Sequence, residues 1–171
     1  MNVLRTARLV LRTAQLRDAP LFLALVNDPD FIAYVGDRGI RTQRAARTAL
    51  RDGPIRMQAE LGHSVYVVER GDGVALGMCG LIRRDGLDGV DLGYAFLPEA
   101  RGHGYAREAA EAVVAYARDG LGLDRLLAIV DAQNHTSVSL LQKVGFRFET
   151  IIYLAANDPA VRLYVVDFPG L

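Results

Sequence analysis

The stretch RGHGYAREAAEAVVAYA, residues 101–117, predicts a glycine-containing loop followed by a long amphipathic helix. Its apolar residues recur at intervals of three and four positions, the spacing that places side chains on one face of a helix. These residues are Ala106, Ala109, Ala110, Val113, Val114 and Ala117. Charged residues fill the opposite face, and Gly120 and Gly122 predict where the helix ends. This is the most regular helical pattern in the chain.

The loop Arg101-Gly102-His103-Gly104-Tyr105-Ala106 has the composition of an anion-binding helix start. The first N–H groups of a helix lack partners and carry a partial positive charge, so they suit a phosphate group. Glycine at 102 and 104 removes the side chains that would keep a pyrophosphate from those amides, and Ala106 keeps the helix close to its strand. A flexible connector is the alternative interpretation of two glycines. The chain has no G-x-x-x-x-G-K-[ST] motif, and Arg107 replaces the third glycine of G-x-G-x-x-G, which argues against two other phosphate loops.

Seven segments have the composition and alternation of β-strands. They are residues 8–13, 63–69, 74–82, 90–97, 125–131, 146–154 and 161–168. Helical patterns begin near Asp18, Thr42, Ala106 and Asn134. A strand, helix, strand unit over residues 90–131 implies a right-handed crossover, with one parallel pair in an otherwise antiparallel sheet. We therefore expect one α/β (α+β) domain over residues 1–171, with a mixed, mostly antiparallel sheet of six to seven strands flanked by about four helices.

Composition limits the partners that the chain can have. Its 20 basic and 20 acidic residues cancel, so there is no net positive field to attract nucleic acid. A single cysteine, Cys79, excludes an internal disulfide and a multi-cysteine metal cluster, and we expect no metal. The N-terminal residues mix charged and apolar side chains, unlike a signal peptide, and the longest apolar run, residues 151–156, is too short to span a membrane. We expect a cytoplasmic protein without membrane partners, and a homodimer is the default oligomer.

Several motifs together resemble those of the GNAT superfamily of N-acetyltransferases. Residues 101–106 match that family's R/Q-x-x-G-x-G/A motif and lie in its setting, between a strand and an amphipathic helix. Asp91-Leu92-Gly93-Tyr94 resembles the E-I-G-Y stretch of the RimJ/RimL-like subgroup, which acetylates the N-termini of ribosomal proteins. Residues 131–146, from DAQN to GF, resemble the D-x-x-N-x-x-S...L-x-K-x-G-F stretch of the same subgroup. The resemblance covers nearly the whole chain and implies the acyl-CoA N-acyltransferase fold.

The resemblance also implies acetyl-CoA as co-substrate and assigns residues to it. The backbone at Phe96 and Leu97 would pair with the pantetheine arm, as a peptide adds to the edge of a sheet. A gap between that strand and the strand that begins near Arg125 would leave room for the arm. The amides of residues 102–106 would bind the pyrophosphate, and Asn134 would bond to the arm near the thioester. The cofactor-binding residues implied in this way are Phe96, Leu97, Arg101, Gly102, His103, Gly104, Tyr105, Ala106 and Asn134.

The resemblance implies an enzyme that moves an acetyl group from acetyl-CoA to a primary amine by direct attack on the thioester. The amine would belong to a peptide N-terminus or to a small molecule, and the fold does not choose between them. One alternative is a catalytically silent acyl-CoA-binding or regulatory module on the same fold. Another is a phosphate-loop protein for a different nucleotide, such as ATP or NAD.

Asp91 and Ser137 are the candidate catalytic residues. Asp91 resembles the acidic residue of the subgroup and is the candidate general base for the amine, directly or through water, although a strand-end contact is its structural alternative. Many members of the superfamily place a tyrosine after the position of Asn134 to protonate the departing thiolate, and this chain has none between Asn134 and Val144. Ser137 is the nearest polar substitute, and it is equally placed to support the helix cap at Asn134.

Four arginines form a stripe on the helix that is predicted to begin at Thr42. They are Arg41, Arg44, Arg47 and Arg51. Such a stripe is typical of a solvated face. The functional alternative follows from the resemblance, because the first two helices of that fold wall the acceptor cleft. An arginine-lined cleft would favour acceptors that carry carboxylates or phosphates.

Overall fold

The computed structural model describes residues 1–170, which form an eight-stranded sheet and six α-helices. The strands are β1 (Asn2–Arg5), β2 (Leu9–Arg12), β3 (Val65–Arg70), β4 (Ala75–Arg83), β5 (Val90–Phe96), β6 (Arg125–Val130), β7 (Arg147–Ile152) and β8 (Val161–Asp167). The helices are α1 (Ala19–Val26), α2 (Pro29–Tyr34), α3 (Gln43–Leu50), α4 (Arg56–Leu61), α5 (Tyr105–Ala115) and α6 (His135–Val144). Short π-helical segments extend α3 and α5, at Arg51–Ile55 and Tyr116–Gly120. None of the helices in this part of the chain is long and apolar enough to cross a bilayer.

The predicted fold class is confirmed, but the sheet has one strand more than the upper estimate and there are two more helices. The extra elements are short: β1 has four residues, and α2 and α4 have six each. The sequence Asn27-Asp28-Pro29 separates α1 from α2. The Asp28 side chain accepts a hydrogen bond from the N–H of Phe31 and caps α2.

The order of the strands across the sheet is β1-β2-β3-β4-β5-β6-β8-β7. Every neighbouring pair is antiparallel except β5 and β6, which are parallel and are connected through α5. The crossover predicted for residues 90–131 is therefore present. It brings the end of β5, the loop at 101–104 and the start of α5 to the same edge of the parallel pair.

Helices cover both faces of the sheet. Because side chains alternate between the faces of a strand, Tyr66 and Val68 of β3 pack in one cluster and Val67 in another. The first cluster contains the predicted apolar face of α5, and Ala109, Ala110, Val113 and Ala117 are completely buried there. The second contains residues of α1 and α3. The helices before β3 therefore line the side of the sheet opposite α5.

The parallel pair separates soon after it forms. β4 and β5 pair over seven residue positions, from Arg83 with Val90 to Gly77 with Phe96. β5 and β6 pair only at Asp91 with Leu127. Beyond Asp91 the pairing stops and leaves a gap in the sheet, and residues 94–96 of β5 line a cavity there.

A buried ion pair holds the start of α1 to the sheet. The Arg12 guanidinium donates to both carboxylate oxygens of Asp18, at 2.9 and 2.7 Å, and to Glu69 at 2.7 Å. The N–H of Gln15 also donates to Asp18, at 2.8 Å. Burial by itself would raise the pKa of Asp18, but the hydrogen bonds from Arg12 and Gln15 outweigh it and hold that pKa below its ordinary value.

We expect Asp18→Ala to destabilise the fold by about 3 kcal/mol at neutral pH, because it leaves the Arg12 charge buried without its main partner. Urea unfolding measures the change. The lowered pKa of Asp18 means that its contribution is present above the unfolded-state pKa and is lost as pH falls through the folded-state pKa, so the difference from wild type should shrink in acid. Arg56→Ala, which breaks the exposed pair with Glu60, is the control. An Asp18→Ala variant no less stable than this control would contradict the assignment.

Candidate functional site

The loop between β5 and α5 exposes the N-terminus of the helix. Gly102 and Gly104 both have φ of +79°, a left-handed conformation that glycine adopts without strain. A Cβ at Gly102 would have no atom within 4 Å, so the space above the loop is open. Gly104 is the N-cap residue and no side chain caps α5, which leaves the first amide N–H groups of the helix available to a ligand. The loop therefore has the geometry of an anion-binding helix start.

Arg8 holds this loop against the N-terminal strands. Its Nη1 donates to the carbonyl of His103 at 2.9 Å, and its guanidinium lies 4.6 Å from the centre of the Tyr105 ring. Its Nε donates to Glu108 at 2.7 Å, and Glu108 also accepts from the Thr6 hydroxyl at 2.6 Å. Arg8 was not identified as a site residue from the sequence, because its contacts lie about a hundred positions away in the chain.

The backbone of β5 presents only alternate residues to the gap. The N–H of Leu97 donates to the carbonyl of Leu76 at 2.9 Å, so the amide of Leu97 is already paired with β4. Antiparallel pairing alternates, and the backbone groups of Phe96 and Tyr94 therefore point away from β4 and toward the gap. Of the two positions expected to pair with the pantetheine arm, Phe96 faces the open side and Leu97 does not.

The Arg101 side chain bonds to the end of β5 and to the start of α2. Its Nη2 donates to Asp28 at 2.7 Å and to the carbonyl of Phe96 at 3.0 Å, and its Nη1 donates to Asp30 at 3.0 Å. Asp28 is the residue that caps α2. The side chain of Arg101 thus connects the loop and the end of β5 to the helix on the opposite face of the sheet.

Asn134, Ser137 and Tyr94 meet at the other side of the gap. The Asn134 side chain accepts from the N–H of Ser137 at 3.3 Å and caps α6, as the sequence predicted. The hydroxyl groups of Tyr94 and Ser137 are 2.5 Å apart. Burial raises the pKa of Tyr94 to about 12, so the phenol stays protonated near neutral pH. Tyr94 belongs to the quoted D-L-G-Y motif, but the sequence did not connect it to a serine 43 positions away.

Asp91 is buried where β5 and β6 touch. Two hydrogen bonds from Arg84 reach its carboxylate, from Nε at 2.9 Å and from Nη2 at 2.8 Å. Burial raises the pKa of Asp91, and it outweighs the opposing effect of the Arg84 charge. Only 1% of the Asp91 side chain is exposed, so the carboxylate is almost closed to bulk solvent.

Two cavities meet beside Tyr94, Asn134 and Ser137. The β5 groove, of about 370 Å³, runs along the gap and is lined by Phe96, Arg101, Ala106 and Asn134, four of the residues assigned to the cofactor. The main cavity, of about 630 Å³, lies between the sheet and the helices that precede β3, and Asp91 lines it. Tyr94, Asn134 and Ser137 line both. A ligand that enters along the groove and another that enters through the main cavity would meet beside the Tyr94–Ser137 pair.

The arginine stripe does not line either cavity. Arg41 pairs with Asp37 and Arg51 pairs with Asp52, while the segment α3–α4 contributes Ala49, Gly53, Pro54 and Met57 to the main cavity. The solvated-face alternative therefore describes the stripe. The arginines that line the main cavity are Arg38 and Arg84, which the sequence pattern did not single out.

Comparisons with known proteins find similar sequences and similar folds. A family model described as an acetyltransferase (GNAT) domain matches residues 8–147. The Bacillus subtilis protein YkkB is 31% identical over 151 residues, which is 86% of each chain. An acetyltransferase from Agrobacterium tumefaciens superposes with a TM-score of 0.82 at 24% identity, over 98% of this chain and 95% of that one. RimL, a ribosomal α-N-protein acetyltransferase solved in complex with coenzyme A, superposes with a TM-score of 0.79 at 18% identity, over 98% of both chains.

Proposed function

Because this chain belongs to the GNAT acetyltransferase family and is an acyltransferase, we propose that it transfers the acetyl group of acetyl-CoA to a primary amine by direct attack of the amine on the thioester. One observation carries the proposal. The β5 groove, which reaches the first turn of α5 at Ala106, meets a separate cavity beside Tyr94 and Ser137, and Asp91 lines that second cavity. Two substrates that approach from different sides can therefore react at one point.

The residues around the groove fit acetyl-CoA, which supplies an acetyl group activated as a thioester. The amides of residues 102–106 would hold the pyrophosphate, because the two left-handed glycines leave the helix start uncovered. The backbone of Phe96 and Tyr94 faces the gap and would pair with the pantetheine arm. Asn134 lines the groove at the junction with the main cavity, where it would bond near the thioester. The neighbour RimL, which was solved with coenzyme A, supports this assignment.

Asp91 would take the proton from the attacking amine. An alkyl ammonium group of pKa about 10 is neutral in roughly one molecule per thousand near pH 7, which costs about 4 kcal/mol. An ordinary aspartate is a weak base for such a proton, and burial makes Asp91 stronger by raising its pKa. The bonds from Arg84 fix the orientation of the carboxylate. A water between Asp91 and the amine completes the path.

Ser137 and Tyr94 would return a proton to the departing thiolate. Their hydroxyl groups are hydrogen-bonded at the point shared by the two cavities, so one hydroxyl can donate to the sulfur while the other supplies it. Tyr94 is protonated near neutral pH because burial raises its pKa to about 12. In this proposal Tyr94 takes the role of the tyrosine that many members of the superfamily carry in the helix after the position of Asn134.

We expect the protein to release free thiol from acetyl-CoA when it is given a panel of primary amines and peptide N-termini.

Gly104→Val should abolish coenzyme A binding and thiol release, because its branched side chain lies against the pyrophosphate and Arg8. Gly122→Val is the matched control, since it imposes the same left-handed strain after α5 where a Cβ meets nothing within 4 Å. Calorimetry with coenzyme A and a thiol assay decide the outcome. No thiol release from any amine, or normal affinity in Gly104→Val, would refute the proposal.

We expect Asp91→Asn to lower kcat/KM by about 10²- to 10⁴-fold, the usual range for a general base. The wild-type pH–rate profile should lose activity in acid as Asp91 is protonated, at a pH above the ordinary aspartate range because the pKa is raised. The variant should lack this limb. Coenzyme A affinity serves as the control and should not change. A variant that keeps the same acidic limb would show that another group is the base.

Substitutions in the hydroxyl pair test the proton donor. We expect Ser137→Ala and Tyr94→Phe each to lower kcat with little change in the KM for acetyl-CoA, and the double variant to be no worse than the poorer single variant. This non-additivity is expected of two groups that act as one relay. A thioester with a more acidic thiol should restore much of the rate, since its leaving group needs less help from a proton donor. Fully additive losses, or no benefit from the better leaving group, would contradict the relay.

A further inference from the structure

Four charged side chains line the main cavity, and they differ in whether they have an oppositely charged partner. They are Arg38, Arg84, Asp91 and Asp131. Arg84 and Asp91 neutralise each other through two hydrogen bonds. Asp131 uses one oxygen to accept from the N–H of Gln133 at 2.8 Å, at the turn that follows β6. Arg38 makes no hydrogen bond or ion pair with any residue in the described range 1–170, and it is the cation left over.

The surroundings of Arg38 are aromatic and apolar. Its guanidinium lies 5.8 Å from the centre of the Phe31 ring, and Phe31, Tyr34 and Phe22 line the same cavity. Arg38 remains exposed to solvent at the cavity. Partial burial, and then the nearby charge of Arg84, lower the pKa of Arg38, and no carboxylate among the described residues opposes them. An arginine held in this way is a receptor for a planar, singly charged anion, because its fork matches the geometry of a carboxylate.

Building on the proposed acetyl transfer, we infer that the acceptor is an amino carboxylate: a primary amine on an apolar or aromatic body that carries one carboxylate, which Arg38 binds. The amine would lie toward the Tyr94–Ser137 junction, and the apolar body would contact the aromatic wall. Arg38 belongs to the segment between α2 and α3, whereas Asp91 belongs to β5, and both line the cavity. The two ends of the acceptor would thus be recognised by residues of different elements.

The charges of the cavity disfavour other acceptor classes. A polyamine needs several carboxylates, whereas this cavity offers Asp91, which is paired, and Asp131, which is partly engaged. A phosphate group brings a charge of about −1.5 to −2 and calls for more than one free cation. An acceptor without a carboxylate that covered Arg38 would remove water from its guanidinium and supply no partner, and that is unfavourable. One carboxylate matches the one guanidinium of the cavity that has no partner among residues 1–170.

Matched acceptor pairs test the inference. Phenylalanine and phenylalanine amide form one pair, and para-(aminomethyl)benzoate and para-(aminomethyl)benzamide form a second pair with a longer separation of amine and carboxylate. We expect the wild-type enzyme to favour the carboxylate member of at least one pair by about tenfold to a hundredfold in kcat/KM, the range for one charge-assisted contact. Arg38→Gln should abolish this preference by raising the KM of the carboxylate. Arg38→Lys should restore part of it.

Two controls separate the possible failures. Arg47→Gln removes a charge from the solvated stripe and should keep the preference, and the KM for acetyl-CoA should be unchanged in all three variants. Equal use of carboxylate and amide, or a preference that survives Arg38→Gln, would overturn the inference while leaving the acetyl transfer intact. If no amine releases thiol, the transfer proposal fails instead. Calorimetry of the carboxylates on the wild type and on Arg38→Gln then decides the binding inference by itself.

Discussion

The separation of β5 from β6 is the constraint on which the rest of the site depends. The two strands touch at one register position, Asp91 with Leu127, and then diverge. In a fully paired sheet, the backbone groups of Phe96 and Tyr94 would bond to β6 and no groove would exist. Apart from the Phe96 carbonyl, which accepts from Arg101, the backbone groups on this edge of β5 therefore need a partner that can accept and donate along the strand. An extended amide-containing arm is a ligand of that kind.

The point of contact is also where the sheet holds its buried carboxylate. Asp91 is completely buried, and such a charge is tolerated only with a partner, which Arg84 provides from the turn after β4. The pairing with Leu127 fixes the position of Asp91, at the point where the pairing of β5 with β6 stops. In the proposed reaction, the same feature of the sheet would create the space for one substrate and set the place of the base for the other.

The sequence was informative where the pattern is local. The helix at 105–115, its glycine loop and the cap at Asn134 depend on neighbouring residues, and the structure contains all three. It was less informative where residues meet across the chain. The contacts of Arg8 with His103 and of Tyr94 with Ser137 span 95 and 43 positions, and no spacing rule connects them. Leu97 differs from expectation for a related reason, since its direction depends on the register with β4.

Arg101 connects residues of the β5 groove to the helix that lines the main cavity. Its guanidinium bonds to the carbonyl of Phe96, which ends β5, and to Asp28 and Asp30, which begin α2. α2 carries Phe31 and Tyr34 into the main cavity and leads directly to the segment that bears Arg38. The bonds of Arg101 thus connect α2, which lines the main cavity, to the same strand end that lines the groove.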